Sequence, residues 1–274
     1  MDVDLDFQGK SIKLSGPALN DFKVKLLLEN GKLTLKPLEL GVFDGHIAAN
    51  LDLDGSANTP KVGGALDLRQ IKLTTMLAIL GIDDKSFGDM FGKANLRTQG
   101  NSLHQLAANA NGNGVLEMDG GQISALLLEL VALRLPEAIG EWLGGSKDMA
   151  EISCLLAPFE MRDGVMHADP WLIDTSKALV EVRGYIDLRN EKMKLSLKPH
   201  PKDFSFFNTL ASVEIEGDLA KREAKVDYLD VAAKVILKAL LSPFQPLVSP
   251  PNEQEARDAR PCAKMLEQAQ AIAR

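Results

Sequence analysis

Alternation of apolar and polar residues, recurring along much of the chain, narrows most strongly what this sequence can fold into. Val3, Leu5 and Phe7 alternate with Asp2, Asp4 and Asp6. Phe22, Val24, Leu26 and Leu28 flank Lys23 and Lys25, and Leu33 and Leu35 sit among Lys32, Thr34 and Lys36. Ile47, Ala49, Leu51 and Leu53 are separated by residues such as Asn50 and Asp52, with Asp54 following. Val180, Val182, Ile186 and Leu188 alternate with Glu181, Arg183 and Asp187, and Met193, Leu195 and Leu197 with Lys192, Lys194 and Lys198. A period of two sends neighbouring side chains to opposite faces, so each segment reads as a strand with one buried and one wetted face. Antiparallel sheets commonly have that form. The expected arrangement is a meander of long strands joined by tight turns.

The turns are written in the sequence as well. Asn30-Gly31 and Asp163-Gly164 tolerate the positive φ angles of a type I′ hairpin. After each come an alternating strand, a proline (Pro37 or Pro170), a second apolar run and a return strand that follows Gly45 or Gly184. The prolines predict an edge or a bulge. Repeat copies near 20–55 and 153–190, with a weaker echo at Gly112–Ser124, point to a sheet extended by addition rather than a closed barrel. Helices are predicted over Leu73–Leu80, before a turn at Asp83-Asp84, and from Ser124 to about Arg134. Others are expected from Pro136 to Gly144-Gly145, from an Asp230 cap to the stop at Pro243, and from Pro261 to about Ala273. The fold class is therefore mainly β with added helices: a long twisted antiparallel sheet curled into a groove and partly covered by short helices. Residues 1–245 form the β-rich domain, 246–260 a Pro-rich linker and 261–274 a C-terminal helix.

Composition bounds the function. At 45% hydrophobic and 25% charged residues the chain has the make-up of a folded protein, and with 5% aromatics its interior must be aliphatic. A net charge of −7 with interspersed signs argues against a nucleic-acid partner. The apolar stretch Ile123–Leu135 is broken by Ser124, Glu129 and Arg134 and does not read as a membrane span. The strand pattern starts directly after Met1, so the chain reads as a fragment that has lost a targeting segment.

No catalytic pattern stands out. His46, His104, His167 and His200 lack partners at metal-ligand spacing, and His200 reads as an exposed turn. Gly112, Gly114, Gly120 and Gly121 read as tight turns, not as a nucleotide-binding loop. Asp52 and Asp54 share the wet face of a strand. An enzyme and a cofactor are therefore not expected. Lys192, Lys194 and Lys198, helped by Lys202, read either as a solvated face or as a rim attracting anionic head groups. The helix beginning at Ser124 is apolar nearly all round. Either it plugs the concave side of the sheet, or Leu126, Leu127, Leu130 and Leu133 touch lipid chains. A second helix carries Lys234 and Lys238 on an otherwise apolar cylinder, which also suits a membrane interface. Cys154 and Cys262 are either two unrelated buried thiols or one long-range disulfide.

Two stretches carry a family resemblance. GNSLHQLAANANGNGVLEMDGGQISALLLELVAL and ISCLLAPFEMRDGVMHADPWLIDTSKALVEVRGYIDLRNEKMKLSLKPHPKDFSF resemble the C-terminal region of AsmA-family proteins of Gram-negative envelopes. The matching features are Cys154 ahead of an F-x-x-x-x-G-V stretch, Asp174-Thr175, the strand Gly184–Leu188 and the turn Pro199–Asp203. Cys262 before a terminal helix fits as well, and the resemblance is strongest from Asn101 to Ser205. It implies a periplasmic β-rich body, held in full-length members by one N-terminal inner-membrane helix and linked to outer-membrane biogenesis and lipid homeostasis. It implies no catalytic residue, and in an oxidising periplasm it favours a Cys154–Cys262 disulfide. The expected function is non-enzymatic guidance of phospholipid tails along an apolar groove between the two membranes, whose surfaces and envelope proteins are the other partners. The alternative is an assembly scaffold for outer-membrane proteins with a filled core.

Overall fold

The computed structural model describes residues 2–12, 19–42, 44–79, 85–124, 149–175, 178–201, 212–219 and 221–226. The strands are β1 (Val3–Ile12), β2 (Leu19–Glu29), β3 (Lys32–Val42), β4 (Gly45–Asp54), β5 (Lys61–Lys72), β6 (Phe87–Gln99) and β7 (Asn111–Ser124). They continue with β8 (Met149–Arg162), β9 (Val165–Thr175), β10 (Ala178–Asp187), β11 (Lys192–Pro201), β12 (Val213–Asp218) and β13 (Lys221–Val226). Helix α1 (Leu73–Ile79) follows β5, and α2 (Leu103–Ala108) follows β6. All thirteen strands join one sheet in chain order, each antiparallel to its neighbours in sequence. This is the meander that the alternation predicts.

Turn chemistry explains how the strands reverse. Asn30 and Gly31 have φ of 50° and 77°, and Asp163 and Gly164 have 46° and 75°. Glu29 pairs with Lys32 and Arg162 with Val165, so each pair of residues forms the two-residue loop of a type I′ hairpin. The prolines lie at bulges. Pairing steps from Leu35–Leu51 to Leu38–Ala49 across Pro37, and from Val182–Trp171 to Gly184–Ala168 across Pro170. Each proline-bearing strand spends one extra residue there, which spares the ladder a missing N–H.

The hairpin β10–β11 has a polar clasp. The Asp187 carboxylate accepts hydrogen bonds from the Arg189 N–H at 2.9 Å, the Asn190 N–H at 3.3 Å and Asn190 Nδ2 at 2.8 Å. The Arg189 side-chain hydrogen bond leads the causes that hold this carboxyl down at about 2, with the Asn190 and backbone donors adding to it and desolvation opposing it. A depressed acid contributes stability above its unfolded pKa near 4 and loses it as the folded group protonates. Asp187→Asn is therefore expected to cost about 1–2 kcal/mol at pH 7. Denaturation midpoints recorded against pH should show that the gap between the two proteins narrows as pH falls from 4 towards 2.

Several sequence expectations change. Gly112, Gly114, Gly120 and Gly121, expected in turns, lie within β7. Gly114 leaves room for the Phe159 ring, which a Cβ there would meet at 2.5 Å. Gly120, at φ 66°, takes up the extra residue where pairing steps from Asp89–Asp119 to Phe87–Gln122. His200, expected in a turn, lies in β11 opposite Leu179, 3.4 Å from Glu181. Helix α2 was not foreseen. Ser102 caps it by accepting the Gln105 N–H, and the Gln105 side chain accepts the Asn101 N–H at 2.8 Å. Ser124, expected as a helix cap, ends β7, where its N–H donates to Ser86 Oγ. The helices predicted beyond Ser124, beyond Asp230 and beyond Pro261, the Asp83-Asp84 turn and the linker 246–260 lie outside the described residues.

Candidate functional site

The face of the sheet toward which the alternating apolar residues point is the chemically distinctive surface. Side chains paired directly across antiparallel strands share a face, so the register shows which residues line up. One row runs Phe7, Val24, Leu38, Ala49, Leu66, Ala94, then Gly114, Phe159, Ala168, Gly184, Leu195 and Ile215. A parallel row runs Leu5, Leu26, Leu35, Leu51, Gly64, Leu96, then Gly112, Met161, Met166, Ile186, Met193 and Gly217. No polar side chain interrupts either row. At about 4.8 Å per strand the first row measures roughly 50 Å along the sheet. We call this the inner face.

The inner face differs along its length. Around β9–β12 it is closed: Val180, Val182, Met193, Leu195, Val213 and Ile215 form a buried cluster against Trp171, Ile173 and Leu197. Helix α1 sets Leu73 and Leu77 against Met118 and Ile152, forming a second cluster. Toward β1 the same face is more open, with Leu5 47%, Phe7 43%, Leu53 37% and Leu66 38% exposed around the buried Val24 and Ala49. The outer face is mostly polar and carries ion pairs such as Lys32–Asp54 at 3.3 Å and Arg69–Asp67 at 2.6 Å. Such exposed pairs hold little energy, about 0–1 kcal/mol each.

The residues singled out from the sequence fall as follows. Lys192, Lys194 and Lys198 stand on the outer face, with Leu195 and Leu197 between them pointing to the inner one. Lys194 lies 3.7 Å from Glu216, while Lys198 stands in register with Glu181, and Lys192 with Asp187 and Asp218. The stripe is thus part of a mixed-charge surface. Cys154 sits on β8 between Asp119 and Asp174. Lys202, Leu126, Leu127, Leu130, Leu133 and Cys262 lie outside the described residues. Asp52 and Asp54 bind Lys36 and Lys32, and their carboxyls lie below the usual range through hydrogen bonds led by Lys36 for Asp52 and by Ser56 for Asp54. They work as surface clasps. Sequence reasoning did not find the unbroken rows, because they depend on register between strands.

Among the described residues no cluster of three or more His, Cys, Asp or Glu converges as a metal site, and no helix is long and apolar enough to cross a membrane. What the arrangement offers is aliphatic area.

Comparison with known proteins places this surface in a family. The AsmA family model matches residues 1–170, more than half of the chain. The chain belongs to the AsmA family. It is 29% identical over 270 residues to the AsmA family protein YhjG of Escherichia coli (strain K12), an alignment that covers 95% of this chain and 39% of that protein. The chain thus spans well under half the length of this AsmA relative. No solved structure matches it significantly.

Proposed function

We propose that this AsmA-family chain is a non-enzymatic envelope-biogenesis module whose inner face holds phospholipid acyl chains and guides them between the inner and outer membranes. It works in the periplasm as the C-terminal part of a protein anchored in the inner membrane. The observation that carries this reading is the pair of apolar rows that cross the sheet without a polar interruption and, from β1 to β6, stay partly exposed apart from Val24 and Ala49. Soluble proteins seldom leave large contiguous apolar areas uncovered without a binding use for them. Each acyl methylene laid on such a surface is worth about 0.8 kcal/mol. Because the contact is dispersion and burial, the face selects chain length and fluidity rather than a head group. The lysines of β11 stand on the other face of the sheet, within a mixed-charge surface, and are given no part in it.

A second reading has one observation in its favour. The β9–β12 half of the inner face is already closed, with Val213 fully buried, as in a scaffold whose core is filled. Native mass spectrometry of the gently purified chain, with solvent extraction, separates the two. Stoichiometric phospholipid is the expected result. A clean lipid-free mass would leave the scaffold, recruiting envelope proteins along its edge strands, as the surviving reading.

A further inference from the structure

The outer face of β3–β6 holds a cavity of about 570 Å³, within the roughly 300–1,000 Å³ of small-molecule sites. Two adjoining outer-face rows line it. Register places Lys32, Asp54, Lys61 and Gln99 in one, and Thr34, Asp52, Gly63 and Arg97 in the other. Asn111 continues the second row beyond Arg97, next to Asp163.

The acids of this cavity are already engaged. Asp54 lies 3.3 Å from Lys32 and accepts the Ser56 N–H at 3.1 Å. Asp52 lies 2.6 Å from Lys36 and accepts the Thr34 hydroxyl at 3.1 Å. Asp163 accepts from Asn111 Nδ2 at 3.1 Å, with Arg189 in its field. Lys61 and Arg97 differ, for among the described residues neither side chain has an ion pair or a hydrogen bond. They are diagonal neighbours across β5 and β6, so their Cα atoms lie roughly 7–8 Å apart. The Gln99 side-chain amide stands directly opposite Lys61.

Gly63 keeps the space above these strands open. A glycine inside a strand weakens it and commonly marks the close approach of a ligand or another backbone. Its neighbour Gly64 answers to packing: a Cβ there would meet Leu51 Cδ2 at 2.5 Å and the Asn50 carbonyl oxygen at 2.6 Å. At Gly63 a Cβ would meet nothing nearer than Arg97 Cγ at 3.5 Å, an ordinary contact, and the backbone is not left-handed. Neither packing nor conformation asks for glycine there. What a side chain at 63 would fill is the cavity.

We propose that this cavity binds the phosphate group of a small organic phosphate, with Arg97 and Lys61 as its cationic partners and Gln99 as a further donor. A carboxylate is satisfied by the Arg97 fork alone, whereas a phosphate keeps oxygens for Lys61 and Gln99. The volume beyond the phosphate takes the organic part. The site lies on the face opposite the apolar rows, so it holds whether or not the inner face carries lipid.

Two arms test this on the full chain and distinguish a free phosphate ester from a lipid head group. One is isothermal titration calorimetry with glycerol 3-phosphate; the other is co-sedimentation with phosphatidylglycerol vesicles. Both run at 0.15 M salt, where attraction beyond about 8 Å is screened. Saturable binding is expected in at least one arm, and the arm that shows it names the source. Arg97→Gln should weaken it at least about tenfold and Lys61→Gln severalfold. Gly63→Val should abolish it while the denaturation midpoint stays level or rises, because valine suits a strand. Lys192→Gln, the same charge change on β11, should leave it unaltered. No saturable binding in either arm, an equal loss in Lys192→Gln, or full binding by Arg97→Gln would overturn the proposal.

Discussion

Replacing Gly184 by alanine should unfold this protein more readily than almost any other single-methyl addition. Gly184 has φ 136°, a conformation that L-residues rarely adopt. A Cβ there would stand 2.1 Å from the Lys194 carbonyl oxygen and 3.0 Å from the Leu195 Cα. Both are backbone atoms of the adjoining strand, so no side chain can swing aside to make room. The position also lies in the apolar row between Ala168 and Leu195, within the most buried part of the sheet. Strain and overpacking together are expected to cost about 2–4 kcal/mol. Gly120→Ala is the matched control. Its φ of 66° is also left-handed, but nothing lies within 4 Å of the added methyl, so about 1–2 kcal/mol is expected. Chemical denaturation of both variants checks this, and equal losses would show that close backbone approach at Gly184 is not what demands glycine.

The second large effect concerns lipid. Leu53→Glu and Leu66→Glu place a carboxylate on the open part of the inner face, at positions 37% and 38% exposed where the fold itself tolerates the charge. Covering that carboxylate with an acyl chain would strip it of water, at a cost of several kcal/mol. At 1.4 kcal/mol per tenfold, phospholipid that co-purifies with the chain should fall by more than about tenfold. Asn50→Glu, one residue from Ala49 and Leu51 but on the exposed outer face opposite Ala65, should leave the lipid content unchanged. Extraction and phosphate quantification across the three variants, with circular dichroism to confirm folding, reads this directly. A similar loss in Asn50→Glu would move the lipid off the inner face.

These two predictions rest on features of different legibility. The faces are local: Leu51 and Leu53 between charged neighbours state their side of the sheet by period alone. The Asx-Gly hairpins are local too, because Asn30 and Asp163 need nothing beyond their own backbone preferences. The rows are not local. They exist because bulges at Pro37, Pro170 and Gly120 re-phase each strand against the next, and a one-residue slip would send every leucine to the other face. The lysine stripe shows the same limit from the other side. Read along β11 it is three cations, but read across the sheet they stand in register with Glu181, Glu216 and Asp218 on the neighbouring strands, which no single strand reveals. The glycines of β7 looked like turns because Gly is ambiguous in isolation, and only the Phe159 ring on the neighbouring strand explains Gly114. Helix α2 is too short for periodicity to detect, and its Ser102–Gln105 cap was the one available signal.

If acyl chains lie on the inner face along the apolar rows, a phosphatidylethanolamine that carries a diazirine near the end of one acyl chain will photo-cross-link there, and residue-level mapping of the adducts reads the position. Adducts are expected on inner-face positions of β1–β6 such as Leu5, Leu35, Leu51 and Leu66, with their outer-face neighbours unlabelled. Adducts spread evenly over both faces, or confined to the outer face, would refute that placement.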